Sequence, residues 1–496
     1  MTRERARSRW GGVWVLGALI AANLSGCQSS DVPESPFSVG STTIFIHDAS
    51  RPFDAVAGVD SGVRTLITEI WYPAAKQGLS AARKATYGDY SFGDRDVHSR
   101  MMTETSSYHL TEASARKGVS SQQIDSAIVE LFDEPRASYV DATPAETRGA
   151  FPVVVMTHGD GGTRYNMQSV SEYLAAHGYI VIATEHTGNS PYSLIGRDPA
   201  LQAVGGDPEL IEQMAAVLPL LDGSGSYAHE QKWGQSYVPD GESLMTPAGL
   251  ISFDASLVER VNDLRAVLKQ LETMNQQGFL KGKIDLERIG LMGRSFGGAT
   301  TLAGLALEAQ FKAGVAVVPP FIPDLRTSLP TQLLHPPEVE SAILSGKKPS
   351  VFSQLHKPTL LLSGSEDKII IGVGQAFASA VGAPTPTEKN PHPMLMKLFE
   401  QSKVPALWGL LPDTNHASFS VAGPYWWPTL TPNTYGRVLD SQQRYELLNS
   451  AMAHRIQKEK TLQFFDRFVR QDIEAQPRLK ANDFEETGFE WRAKNF

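Results

Sequence analysis

The stretch IGLMGRSFGGATTLAG, Ile289 to Gly304, sets one serine among five glycines. Within it, Gly293-Arg294-Ser295-Phe296-Gly297 fits G-x-S-x-G, a pattern with a steric demand. The serine backbone is strained on a sharp strand-to-helix turn, and the flanking glycines let neighbouring elements approach. The surroundings meet that demand. RIGLM just before is an apolar strand signal, and GATTLAGLALEA just after is a small-residue helix signal. Neither G-K-[ST] nor G-x-G-x-x-G accompanies it, which argues against a phosphate-binding loop. Ser295 is therefore a candidate nucleophile, and the chain should also hold an acid, a base and an oxyanion site in workable order.

Downstream, PTLLLSGSED ends a strand signal, and Asp367 sits in the turn two residues past Ser365. A carboxylate there can orient a histidine and stabilise the imidazolium. The neighbouring Glu366 and Asp324, the latter after an earlier strand, are the alternatives. His416 follows the last strand signal in LLPDTNHASFS, so Ser295, Asp367 and His416 run in the order Ser, Asp, His. Upstream, His158-Gly159-Asp160-Gly161-Gly162 follows the apolar strand FPVVVMT. An oxyanion hole needs two backbone N–H groups, one from the residue after the nucleophile and one from such a loop. Phe296 and Asp160 are the candidates, with the Asp160 carboxylate turned away. His158 reads as a brace for that loop, because it precedes the serine and sits at the strand end.

Working further outward, strand signals alternate with helix signals. TLITEIWYP, FPVVVMT, YIVIATEH, RIGLMG, AGVAVVPP, PTLLLSG and VPALWGLLP are short and apolar. Between them, Phe253 to Met274 places Leu257, Val261, Leu264, Leu268 and Leu271 on one helical stripe. This pattern predicts an α/β fold, a mainly parallel sheet with helices on both faces. Residues 41–496 read as one such domain, with cap or lid insertions at about 75–148, 188–252, 321–350 and 370–404. Aromatic residues Tyr192, Tyr227 and Trp233, and PYWWPT from Pro424 to Thr429, line a pocket or pack an insertion; packing is the simpler account.

The N-terminus is of another kind. MTRERARSRW carries four arginines, and an apolar run from Val13 to Leu24 follows. Twelve residues fall well short of the roughly 20 a membrane helix needs, so residues 1–26 read as a secretory signal. The run ends at Leu24-Ser25-Gly26-Cys27, which resembles the lipobox of bacterial lipoproteins; the resemblance implies acylation of Cys27, the chain's only cysteine. A single cysteine also rules out an internal disulfide. Residues 27–40 read as a tether, and Gln28 after the cysteine favours the outer membrane by the enterobacterial sorting habit. The predicted location is across the inner membrane, anchored by lipid and facing the periplasm or cell surface. The formal net charge of −9 argues against a nucleic-acid partner.

Taken together, IWYP, VVVMTHGDGG with YLAAHGYIVIATEH, RVNDLRAVLKQLE and KIDLERIGLMGRSFGGATT resemble the α/β-hydrolase superfamily. Within it, they are similar to plasma-type platelet-activating factor acetylhydrolases and dienelactone-hydrolase-like esterases. The resemblance implies an α/β-hydrolase fold and a serine ester hydrolase with no metal or organic cofactor. It also implies Ser295 as nucleophile, His416 as base, and Phe296 and Asp160 as oxyanion donors. Arg294 departs from the histidine often found there, and VVPPF carries no acid at its strand end, so Asp367 follows the dienelactone-like pattern. Short-chain acyl or lipid-derived esters are the expected substrates. A serine peptidase or amidase, and a non-catalytic ligand-binding lipoprotein, are the alternatives.

Overall fold

The strand FPVVVMT is buried along its whole length, and its alternate residues face two different cores. Val154 and Met156 join one apolar cluster, Val153 and Val155 the other, as the two-residue period of a strand requires. A strand with no solvent face belongs in the middle of a sheet covered on both sides.

The computed structural model describes residues 35–496 apart from 56–57, 78, 92–94, 97, 100–101, 103–117, 191, 193–197, 202–205, 219–245 and 380–381. The expected signal segment, Cys27, Tyr227 and Trp233 lie outside the described residues. In chain order come β1 (Ser38–Asp48), β2 (Arg64–Ala74), β3 (Lys84–Thr86), α1 (Ser121–Asp133), β4 (Pro135–Val140) and β5 (Phe151–Thr157). Then follow α2 (Gln168–Ala176), β6 (Ile180–Thr184), α3 (Pro208–Met214), α4 (Pro247–Gln276), β7 (Ile284–Arg294), α5 (Phe296–Leu307) and β8 (Phe311–Val317). The remainder is β9 (Thr359–Gly364), α6 (Lys368–Ala378), α7 (Pro393–Glu400), β10 (Ala406–Leu411), the small hairpin β11 (Thr434–Gly436) and β12 (Arg444–Glu446), α8 (Ser450–Phe468), α9 (Ala475–Lys480) and β13 (Glu490–Lys494).

Among the described residues one eleven-stranded sheet runs β13-β10-β9-β8-β7-β5-β6-β2-β1-β4-β3. Its centre, β6 through β10, is parallel, and β2 and β13 flank it antiparallel. The register pairs Thr157 with Gly293, Arg294 with Val317, and Leu411 with Gly364. The strand ends are therefore level, and the loops that leave them share one edge of the sheet, where open α/β sheets bind ligands.

The helix read from Phe253 to Met274 is longer, spanning Pro247 to Gln276. Thr246 caps it by accepting from the Gly249 N–H, and Pro247 takes the first-turn position where its missing N–H costs nothing. The expected tether is shortened by three residues, because β1 starts at Ser38. The sequence SVGSTTIFIHD has little apolar content at its start, and backbone pairing to β2 carries it. Residues 370–404 are a crossover rather than an addition: β9 and β10 are parallel neighbours, and α6 and α7 form the connection such a pair needs. By contrast, Ile124, Ile128, Leu131 and Phe132 of the first long segment pack with Tyr192, Leu210 and Met214 of the second in a third apolar cluster. Trp427 joins them.

Candidate active site

Ser295 stands between β7 and α5 with φ 56° and ψ −126°. That left-handed backbone costs a non-glycine residue on the order of 1–3 kcal/mol. Local hydrogen bonds hold it: the Ser295 N–H donates to Val317 O at 2.8 Å, and its own carbonyl accepts from Gly298 N at 2.7 Å. The flanking glycines are needed for space. A Cβ on Gly293 would lie closer than 3.0 Å to the Gly297 carbonyl, and one on Gly297 equally close to the Thr157 carbonyl. The turn thus brings the residues flanking Ser295 and the end of β5 into backbone contact.

His416 opens a short turn, His416–Phe419, whose N-cap Asn415 accepts from the N–H groups of Ala417 and Ser418. Its Nε2 lies 2.9 Å from Ser295 Oγ, and its Nδ1 lies 2.7 Å from Asp367 Oδ2. Asp367 is fully buried and caps α6, its Oδ1 accepting from Ile369 and Ile370 N–H at 3.1 Å each. Burial alone would raise that carboxyl. The His416 charge and hydrogen bond outweigh it and, with His392 and the Ile370 amide, hold it below the usual carboxylate range. Burial lowers His416, Asp367 opposes, and the Arg294 guanidinium adds to the lowering, so the imidazole is neutral and ready to accept a proton.

The two alternative acids are engaged elsewhere. Glu366 accepts from Arg437 Nη1 at 2.5 Å and from the Val438 N–H at 2.9 Å. Asp324 is held by Arg326 through both carboxylate oxygens. Neither bonds to His416, whereas Asp367 does.

Phe296 is the first residue of α5, where an N–H has no intrahelical acceptor. Among the described residues neither its N–H nor that of Asp160 finds a backbone partner. The Asp160 side chain is drawn aside, Oδ1 accepting from Asn189 Nδ2 at 2.6 Å. Asp160 reaches solvent, and crowding at its carboxyl pushes it up to about 6, although the Asn189 hydrogen bond, Arg260 and the Gly161 amide pull the other way. His158 braces the loop as expected, with Nδ1 2.6 Å from Gly159 O and Nε2 accepting from the His186 N–H at 3.0 Å. Among the described residues, no three His, Asp or Glu side chains converge as metal ligands would.

The fold has a known counterpart. A ferulic acid esterase from Streptomyces cinnamoneus superimposes with a TM-score of 0.53 and 18% identity, over 92% of this chain and 97% of that one. The chain has the α/β-hydrolase fold. The family model described as platelet-activating factor acetylhydrolase, isoform II, matches the chain at residues 111–215 and 250–336. Platelet-activating factor acetylhydrolase from Cavia porcellus is 27% identical over 38% of this chain, and that from Canis lupus familiaris 28% over 35%. The matched stretches span 41% and 36% of those relatives, so the likeness covers well under half of each.

Several residues with a place in the site left no sign in the sequence. Arg294 Nη2 donates to the His416 carbonyl at 2.5 Å, pinning the loop that carries His416. His392 Nε2 lies 2.7 Å from Gly364 O, beneath the acid turn. Both contacts join distant parts of the chain, and no local spacing encodes them. PYWWPT both packs and lines a pocket: Trp426 lies edge-on to Tyr87 at 5.2 Å and Trp427 is 5% exposed, while Tyr425, Trp426, Trp427 and Thr429 also line a cleft with Tyr87 and Leu131.

Proposed function

We propose that the protein is a serine carboxylic-ester hydrolase using Ser295, His416 and Asp367. The observation that carries the reading is the unbroken hydrogen-bond chain from Ser295 Oγ through His416 to Asp367, on a nucleophile held at φ 56°. The neutral His416 takes the hydroxyl proton as Ser295 Oγ attacks the ester carbonyl. The carbonyl oxygen becomes an anion facing the Phe296 and Asp160 N–H groups, and two such donors stabilise it more than the ground state. His416 returns the proton to the leaving alcohol, and the acyl group stays on Ser295. Water, deprotonated by His416, then attacks the acyl carbonyl, the acyl bond to Ser295 Oγ breaks, His416 returns the proton to Oγ, and the acid leaves. Asp367 keeps the imidazole proton on Nδ1 and stabilises the transient imidazolium.

Short-chain acyl esters, including lipid-derived ones, are the proposed substrates. The matches to platelet-activating factor acetylhydrolases support this choice. A series of p-nitrophenyl esters, read as kcat/KM, tests it: the value should be highest at two to four acyl carbons and fall at longer chains. A maximum at long chains, or no turnover of any ester, contradicts it.

We further propose that Cys27 is acylated and tethers the enzyme to a membrane, placing it beside lipid-derived substrates. A single acyl chain gives only marginal binding, whereas two hold a protein stably. Cys27→Ser should move the protein from the membrane to the soluble fraction. Unchanged fractionation would refute the tether.

A further inference from the structure

One buried polar assembly beside the site has no part in the proton transfers. His186 Nε2 lies 2.7 Å from Thr157 Oγ1, and its Nδ1 lies 2.9 Å from Asp263 Oδ2. All three residues are fully buried. Burial would raise the Asp263 carboxyl, but Arg64, Arg51 and His186 outweigh it and hold it well below the usual range. Burial and the Arg260 charge bring His186 down to about 3, against its bonds to Asp263. A neutral imidazole beside an anion keeps its proton on Nδ1, so the Thr157 hydroxyl donates to Nε2. With no solvent access, this Thr-His-Asp chain serves to fix Thr157, the last residue of β5 before the oxyanion loop.

Arg260 stands on α4 three residues before Asp263 and joins this assembly to both halves of the oxyanion site. Its Nη2 donates to the His158 carbonyl and lies 3.4 Å from Thr157 Oγ1. Its guanidinium carbon sits 4.7 Å from the centre of the Phe296 ring. His158 leads into Asp160, and Phe296 follows the nucleophile, so one side chain touches both segments that carry an oxyanion amide. We propose that Arg260 is a positioning residue for ester hydrolysis, fixing the two oxyanion donors relative to each other.

The physical demand is geometric. The two N–H groups come from distant parts of the chain yet must meet one oxygen at about 2.7–3.1 Å. A planar guanidinium can donate along its edge while stacking its face on a ring; a lysine ammonium cannot do both. The positive charge also reaches the loop, since Arg260 pulls the pKa of both Asp160 and His158 downward. That is the sign of potential that favours a developing oxyanion.

The inference rests on the ester-hydrolase reading, and its test separates the two. Parent, Arg260→Lys and Phe296→Leu are compared for kcat, for KM, and for inhibition by a trifluoromethyl ketone and by the product carboxylate. A full oxyanion donor is worth about 100- to 1,000-fold, so displacing one should lower kcat about 10- to 100-fold in either variant. KM and carboxylate affinity should hold within about threefold, while ketone affinity falls by the same factor as kcat/KM. Parental kcat in a folded Arg260→Lys protein overturns the inference, as does a loss of kcat with unchanged ketone affinity. Should Arg260→Lys fail to fold, Phe296→Leu keeps the backbone amide and decides between the same two outcomes. A parent that neither turns over esters nor binds the ketone overturns the underlying reading instead.

Discussion

At the scale of single residues, His416 as the proposed base has to be neutral to accept the Ser295 proton, and its surroundings set the pH at which that fails. Burial lowers its pKa, Asp367 raises it and Arg294 lowers it again. The acid limb of kcat/KM should therefore lie below the ordinary histidine value of about 6.5. Arg294→Met removes a positive neighbour, so protonation becomes easier and the limb should move to higher pH. It also frees the His416 carbonyl from its 2.5 Å partner, so the plateau should drop as well. A pH–rate profile of the variant checks both, and an unmoved limb would speak against the electrostatic part. The order Ser295, Asp367, His416 could be read from the chain because each follows an apolar strand signal. Arg294 could not, since its function lies in a contact with a carbonyl 122 residues away.

At the scale of elements, β5, β7 and α5 are tied by the two glycines of the elbow. Gly297→Ala would drive a methyl group into the Thr157 carbonyl, and backbone cannot give as a side chain can. The variant should lose more than about 100-fold in kcat, because the strain falls on the turn that aims the nucleophile. Steady-state kinetics and a thermal melt together test this; parental kcat would show that the contact is relieved cheaply. Elements with strong patterns were legible beforehand: the buried parallel strands, the long helix and the helix after Ser295. The start of β1 was not, for Ser38, Val39 and Gly40 read as the end of a tether until β2 is there to pair with them. The length of 370–404 suggested an addition, and only the parallel pairing of β9 with β10 makes two helices the expected connection.

At the scale of the whole molecule, the protein holds several histidines neutral inside its core. Burial pushes His98, His186 and His454 down to about 3 each, and the positive charges of Arg164, Arg260 and Lys458 add to the lowering. In the unfolded chain they take up protons below about 6.5, while the folded protein does not, so the unfolded state binds more protons there. Stability should thus fall as pH drops from 6.5 toward 5, by up to about 1.4 kcal/mol per histidine per pH unit. His454 bonds to Ser169 Oγ and the Ser420 carbonyl, so His454→Gln should lower stability at pH 7 yet flatten the slope. Urea unfolding at several pH values measures both. A slope equal to the parent's would mean that His454 does not stay neutral. None of this was visible in the sequence, where a buried and an exposed histidine look alike.

The central claim is that Ser295 is the nucleophile, and labelling with a fluorophosphonate tests it most directly. The parent should gain one phosphonyl group, found on the peptide that contains Ser295, and lose its esterase activity in step with labelling. Ser295→Ala should take up no label and turn over p-nitrophenyl acetate at least about 1,000-fold more slowly, as expected when a group that acts as one unit with its base is removed. Parental hydrolysis by Ser295→Ala, or a label on another residue, would contradict the account.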